Sequence, residues 1–297
     1  MKTKIKVKDI LKKLTKNKIA VVITTLLLLL TIYLVADQYV ILTPEYTVKS
    51  AKVDNDITIA VISDLHSMNY GFDNKVIIEK VKSKSPDIIA VVGDMIDEYD
   101  EDTSSALNVM KALPKIAPTY YVVGNHDTLC ESYYEFKYES QKAGVNLLLN
   151  TKEDITVNGN DVSLLGIIGY SFGEVENRKY TELMEEFCES DSLKILLCHY
   201  PEYSMWFFEK DKYYEYDFDL MLSGHTHGGL VRLPFIGGVI APNQGLFPEY
   251  TKGLYYVDKS NKNPYYMLVT GGLGQDRRCL RVNNFPEISF VNIVKQR

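Results

Sequence analysis

ITIAVISDLH, residues 57 to 66, changes character within ten positions. Residues 57 to 63 are mostly β-branched and apolar, the composition of a strand buried on both faces. Asp64 and His66 then follow, two apart. The construction recurs along the chain. DIIAVV (87 to 92) runs into GDMID, with Asp94 and Asp97, and TYYVV (119 to 123) into GNHD, with Asn125, His126 and Asp127. The run at 194 to 198 ends in LCHYP with His199, and that at 218 to 222 in SGHTHGG with His225 and His227. All five histidines of the chain fall in these clusters.

Between the first strands, Asp73 to Lys84 and Thr103 to Leu113 read as helices. Asp73 is the expected N-cap of the first, and Ala106, Met110 and Leu113 recur at i, i+4 and i+7 in the second. Further apolar runs at 145 to 149, 162 to 168, 253 to 257, 265 to 270 and 288 to 294 have fewer helices among them. No repeat or low-complexity linker divides the chain after Ile57. The expectation is one α/β domain whose second half is richer in β.

Residues two apart on an extended backbone point to the same side, so Asp64 with His66, and His225 with His227, are each expected to face a common cation. Carboxylate, imidazole and amide oxygen together suit Mn, Fe or Zn. Taken singly, each motif has an ordinary explanation. Asp-x-His is a common loop pair, Gly-Asp an ordinary turn, and His199 before Pro201 a satisfied histidine at a helix start. Five such clusters, each at a strand end, have no packing reason in common. A protein nucleophile is poorly supported: there is no GxSxG, and Cys198 should point to the opposite face from His199, into the core.

The first 18 residues carry eight lysines and one aspartate, and Ile19 to Ala36 follow without a charge. As a helix that run spans roughly 27 Å, close to the bilayer's hydrocarbon core. A membrane anchor with a cytoplasmic leader and an extracytoplasmic domain is the expectation, by the positive-inside rule. A cleaved signal peptide is the alternative, but Leu34 is bulky at the minus-three position of a cut after Ala36. Setting the leader aside leaves 25 Lys and Arg against 38 Asp and Glu, a formal −13, which carries no basic footprint for nucleic acid. Cys130, Cys188, Cys198 and Cys279 form no CxxC.

In order, these clusters resemble the calcineurin-like metallophosphoesterases, whose pattern is DxH, GDxxD, GNHD/E, H, GHxH. The resemblance spans about 57 to 297. GHTHGGLVRLPFIGGVIAPNQGLFPEYTKGLY and GGLGQDRRCLRVNNFPEI are similar to the membrane-anchored branch that includes the UDP-2,3-diacylglucosamine hydrolase-like proteins. Leu230 departs from the glutamine of many relatives and bears on substrate contacts.

The resemblance implies an αββα sandwich, two packed sheets flanked by helices, and a pair of divalent metal ions with Asp94 bridging. It gives Asp64, His66 and His227 to one metal and Asn125, His199 and His225 to the other. His126 would touch the phosphoryl oxygens or protonate the leaving group, with Asp97 orienting it. Two cations roughly 3.5 to 4 Å apart hold a water as hydroxide at neutral pH and grip a phosphoryl group. The implied layout is a leader (1 to 18), an anchor (19 to 36), a linker or first strand (37 to 56) and a catalytic domain (57 to 297). The expected activity is a metal-dependent phosphodiesterase or pyrophosphatase, with a phosphorylated small molecule or lipid-linked substrate at the membrane. The alternatives are an exported phosphomonoesterase or nucleotidase, and a metal-stabilised binding protein. The acidic DEYDED (97 to 102) reads as a solvated loop. The aromatic stretch 205 to 218 suits either core or a membrane interface.

Overall fold

The computed structural model describes residues 7–169, 178–205, 216–258, 263–275 and 280–296. Helix α1 (Val7–Tyr39) leads to strand β1 (Glu45–Ser50), and the stretch read first is β2 (Ile57–Ile62). There follow α2 (Lys75–Ser83), β3 (Ile88–Val92), α3 (Ser104–Ala112), β4 (Thr119–Val122), α4 (Asn125–Leu129), α5 (Tyr133–Lys142), β5 (Asn146–Leu147), β6 (Thr151–Val157) and β7 (Asn160–Ile167). The second half continues with α6 (Arg178–Cys188), β8 (Leu193–Cys198) and β9 (Leu220–Ser223). Two small hairpins come next, β10 (Arg232–Leu233) with β11 (Gly237–Gly238), and β12 (Ile240–Ala241) with β13 (Gly245–Leu246). The chain ends in β14 (Gly253–Val257), β15 (Tyr265–Val269) and β16 (Ser289–Lys295).

Two six-stranded sheets form, in the orders β1-β16-β2-β3-β4-β5 and β14-β15-β9-β8-β7-β6. Strands β2, β3 and β4 run parallel in the first, and β7, β8, β9 and β15 in the second. Period-2 side chains divide the apolar residues among three layers. Ile59, Val61, Ala90, Val92 and Val122 meet Leu164, Ile195, Leu197 and Leu222 between the sheets. Ala60, Ile62, Ile89, Val91 and Tyr121 face Ile77, Val109 and Phe136 of the outer helices. Leu196, Cys198 and Met221 pack with Met184 and Phe187 of α6. This is the expected αββα sandwich, and Cys198 lies in its outer core. Cys130, Cys188 and Cys198 are free thiols, and Cys279 lies outside the described residues.

Helix α2 begins at Lys75 and not at Asp73, because Asp73 and Asn74 both adopt left-handed backbone (φ 51° and 57°). Asn74 ties this loop to its surroundings: its Oδ1 accepts the Tyr70 N–H at 2.7 Å, and its amide donates to the Ser105 carbonyl at 2.9 Å. Strand β6 escaped the sequence reading because it is half exposed and carries Lys152, Glu153 and Asp154, so it has no apolar run. Lys16–Tyr39 of α1 is long and apolar enough to cross a membrane, and its apolar stretch is not buried against the domain. Of the aromatic stretch 205 to 218, residues 206–215 lie outside the described residues, while Tyr216 and Phe218 belong to the outer core.

Candidate metal centre

Strands β2, β3 and β4 of one sheet and β8 and β9 of the other bring their C-terminal ends together, where ligand sites of parallel α/β sheets form. The turns there are strained. Asp64, His66, Asp94, His225 and His227 all have positive φ, between 45° and 68°. Such a conformation costs a non-glycine residue about 1–3 kcal/mol and clusters at functional sites. Asp64 and His66 are therefore not joined by the extended backbone expected of them. The left-handed turns separate His225 from His227, which fall into different groups.

One group is Asp64, His66 and His227, another is Asp94, His199 and His225, and a third, overlapping the first, is His66, Asp97 and His126. Within each, one donor atom per residue lies within 4.8 Å of the others. Asp94 stands between the first two groups, with Oδ2 3.9 Å from His66 Nε2 and 3.1 Å from His199 Nε2. Asn125 opens α4, and its Oδ1 is buried without a hydrogen-bond partner. His66 Nε2, Asp94 Oδ2, His126 Nδ1 and His199 Nε2 are orphaned in the same way. A buried polar atom left unpaired costs about 1–3 kcal/mol, so several at one place need a common partner. Nitrogen and oxygen donors of this kind fit divalent metal ions.

Asp97 faces two histidines, His66 and His126. Its Oδ2 lies 3.2 Å from His66 Nδ1, within hydrogen-bond distance, but 3.8 Å from His126 Nδ1. The carboxylate is held by its own turn, since Oδ1 accepts the Tyr99 N–H at 3.1 Å and the Asp97 N–H goes to Asp100 Oδ2 at 2.8 Å. His126 is positioned instead through its main chain, which donates to Asp94 Oδ1 at 2.8 Å. It sits on a helix, not on the extended segment expected. Its ring makes an edge contact with His66, with centroids 4.7 Å apart.

The electrostatics separate the histidines into two kinds. Burial pushes His199 down, but the Asp94 carboxylate and the Val92 carbonyl more than reverse this and carry it up to about 10. His66 is likewise raised against its burial by Asp97 and Asp94. Burial and the charge on His199 bring His225 down to about 3, and burial with His66 lowers His227. Asp94, though buried, is held below the carboxylate range by His199 and His66. Burial and the Asp94 charge raise Asp64.

Several positioning residues went unread in the sequence. Asp127 is fully buried and accepts four backbone N–H bonds: Asp94 and Gly124 on Oδ2 at 2.7 and 2.8 Å, Met95 and Ile96 on Oδ1 at 2.9 and 3.1 Å. It shapes both sequence turns at once. Gly124 must be glycine, since a Cβ there would collide with Asp94 Oδ1. On the other sheet, His199 Nδ1 meets the Val92 carbonyl at 2.7 Å, which leaves Nε2 facing Asp94. The Asn243 amide nitrogen lies 2.9 Å from His225 Nε2, donating to it when that nitrogen carries no proton, and so orients the ring. Asn284 donates to the His227 carbonyl at 2.6 Å, and buried Arg281 bonds the carbonyls of Gly271 and Gly274 at 2.7 and 3.1 Å. Gly272, in that loop, lies so near Asp64 that a Cβ would come within 2.7 Å of it.

Residues 57–229 match the family described as calcineurin-like phosphoesterase. The chain belongs to this family. It is 28% identical over 266 residues to the uncharacterized metallophosphoesterase YkuE of Bacillus subtilis, covering 86% of this chain and 87% of that one. To phosphodiesterase YaeI of Escherichia coli it is 26% identical over 214 residues, covering 71% of this chain and 72% of that one. With its buried His and Asp groups, this calcineurin-like phosphoesterase is a metal-dependent hydrolase of phosphoester bonds.

Proposed function

We propose that the chain hydrolyses a phosphodiester or pyrophosphate bond in a lipid-linked phosphate compound, at the membrane face on which its domain lies. The observation that carries the hydrolytic part is the convergence of five orphaned buried donor atoms at the strand ends. In this reading Asp64, His66 and His227 hold one divalent ion, Asn125, His199 and His225 the other, and Asp94 lies between them. Mn, Fe or Zn suits that donor set. When bound, the pair would supply Lewis acidity toward the phosphoryl group and a water of low pKa.

The chain's own residues then divide the work. His126 is the most open of the site histidines, with a 14% exposed side chain, so its ring is free to meet a phosphoryl oxygen or give a proton to the leaving oxygen. Asp97 acts through His66, keeping the proton on Nδ1 and Nε2 free. The diester preference is supported by the likeness to a relative called a phosphodiesterase. The lipid-linked character is supported by the apolar helix.

The test is a panel of monoesters, diesters and pyrophosphates with added Mn, each presented free and as a lipid conjugate dispersed in detergent. Turnover fastest on a lipid-linked diester or pyrophosphate is expected. Uniform preference for soluble monoesters would replace this reading with a phosphate-scavenging one. For the orientation, protease added outside intact cells should digest the domain after Ala36 and spare the leader.

A further inference from the structure

Apolar side chains crowd one strip of the surface beside the site. Phe235 is fully exposed, and Ile236, Leu246 and Phe247 are each at least 60% exposed. Phe235 and Ile236 form the turn of β10–β11, while Leu246 and Phe247 lie at the open end of β12–β13, where the Phe247 N–H donates to the Val239 carbonyl at 2.8 Å. The 18 residues from Leu230 to Phe247 contain Arg232 as their one charged residue, in a domain that is otherwise strongly acidic. Large exposed apolar groups gathered in one charge-poor segment mark an interaction surface and not ordinary solvent-facing loops.

The end of α1 identifies what that surface meets. Tyr33 Oη donates to Asn283 Oδ1 at 2.9 Å, and the Asn283 amide donates to the Arg232 carbonyl at 3.1 Å. Val231 and Val282 are bridged alongside. Further up the helix, Asp37 accepts the Asn284 N–H at 2.8 Å and Gln38 donates to the Arg281 carbonyl at 2.8 Å. The helix is thus seated on the domain by its last turns and does not hang from a loose tether. Tyr33 lies six residues before the helix end at Tyr39, roughly 9 Å back along the axis toward the apolar stretch. Phe235 is three residues beyond Arg232, within about 10 Å of chain. The first hairpin therefore starts beside the last turns of the apolar span, at the depth where a Tyr such as Tyr33 occupies the bilayer interface.

We infer that the exposed apolar side chains of Leu230–Phe247 enter the membrane surface beside α1, so that the phosphoesterase is held at three points and its metal centre is aimed at the bilayer. The same segment begins one residue after the Gly229 that closes HTHGG and carries Asn243 in the turn between β12 and β13, so the membrane-facing side chains and the His225 contact are one piece of chain. An amphiphile would reach the site without leaving the interface. This rests on the membrane-anchor part of the proposed function and is independent of which phosphoester is cleaved.

The full chain is reconstituted into phosphatidylcholine–phosphatidylglycerol vesicles containing radiolabelled lipid, with photoreactive benzoylphenylalanine in place of Phe235, Phe247 or, as a reference, the exposed Tyr138 of α5. Each variant is first checked for unchanged hydrolysis of a soluble nitrophenyl phosphoester, which establishes that it is folded. Irradiation should attach several-fold more lipid at 235 and 247 than at 138. Equal labelling at all three positions, or adducts to a second protein chain at 235 and 247, would overturn the inference. An alkaline carbonate wash separates the two possible failures. A chain released by the wash has no anchor, and both readings fall; a chain retained but unlabelled at 235 and 247 loses the hairpin inference alone.

Discussion

The two sheets contribute to the metal centre by different means. On the first sheet, the ligand turns support one another: Asp127, inside the GNHD cluster, holds its own turn through Gly124 and the GDMID turn through Asp94, Met95 and Ile96. On the second, His225 and His227 depend on residues well downstream, Asn243, Arg281 and Asn284. A turn braced from within its motifs should fail as a unit. One braced from outside should fail a group at a time.

The largest effect is expected at the residue both sheets share. Asp94→Asn should lose roughly 10³-fold or more in activity, since it withdraws charge from both His66 and His199. Metal analysis of the purified chain should show both ions depleted; full activity without metal would remove the centre from the chemistry altogether.

His126→Ala is expected to cost roughly 10²- to 10⁴-fold in kcat with both metals retained. The defect should shrink on nitrophenyl esters, whose leaving group needs no proton. Loss of metal with an unchanged rate per bound ion would instead assign His126 to the group it can form with His66 and Asp97.

Asp127→Ala tests the internal bracing. It strands four backbone donors, and a melting curve should show a loss of about 3 kcal/mol or more, with both metals weakened. Asn243→Ala tests the external bracing. It should lower metal affinity roughly 10- to 100-fold at the His225 group only, seen as one weakened step in a two-step titration. Equal weakening of both steps by Asn243→Ala would erase the contrast between the sheets.

The smallest effect sharpens the contrast within each sheet. His199 is raised to about 10 and so is protonated in the metal-free protein at neutral pH, and His66 is shifted in the same direction, while His225 and His227 are lowered. Metal must displace the His199 proton, so affinity should fall as pH falls and rise with pH until His199 is neutral near 10. Calorimetry in buffers of different ionisation heat should register proton release on loading near pH 7.

Much of this molecule is local in origin. The strands at 57 to 62, 88 to 92 and 119 to 122 are legible because a doubly buried strand needs an unbroken apolar run, and the polar clusters stand out because nothing in packing asks for them. The apolar helix is equally plain in composition. Strand β6 was not legible, since one solvated face removed its apolar run, and the start of α2 was misjudged because Asn74 turns left-handed to serve Tyr70 and Ser105. What the tertiary structure alone decided depends on dihedrals and on distant partners. The positive φ angles of five site residues send His225 and His227 to different groups, where period-2 reasoning had joined them. Asp97 lies closer to His66, at 3.2 Å, than to His126, at 3.8 Å, because two turns from different strands fix their separation. Asn243, Arg281 and Asn284, and the seating of α1 upon the last two's segment, are contacts across 18 to 247 residues of chain, whose pairing no local pattern encodes.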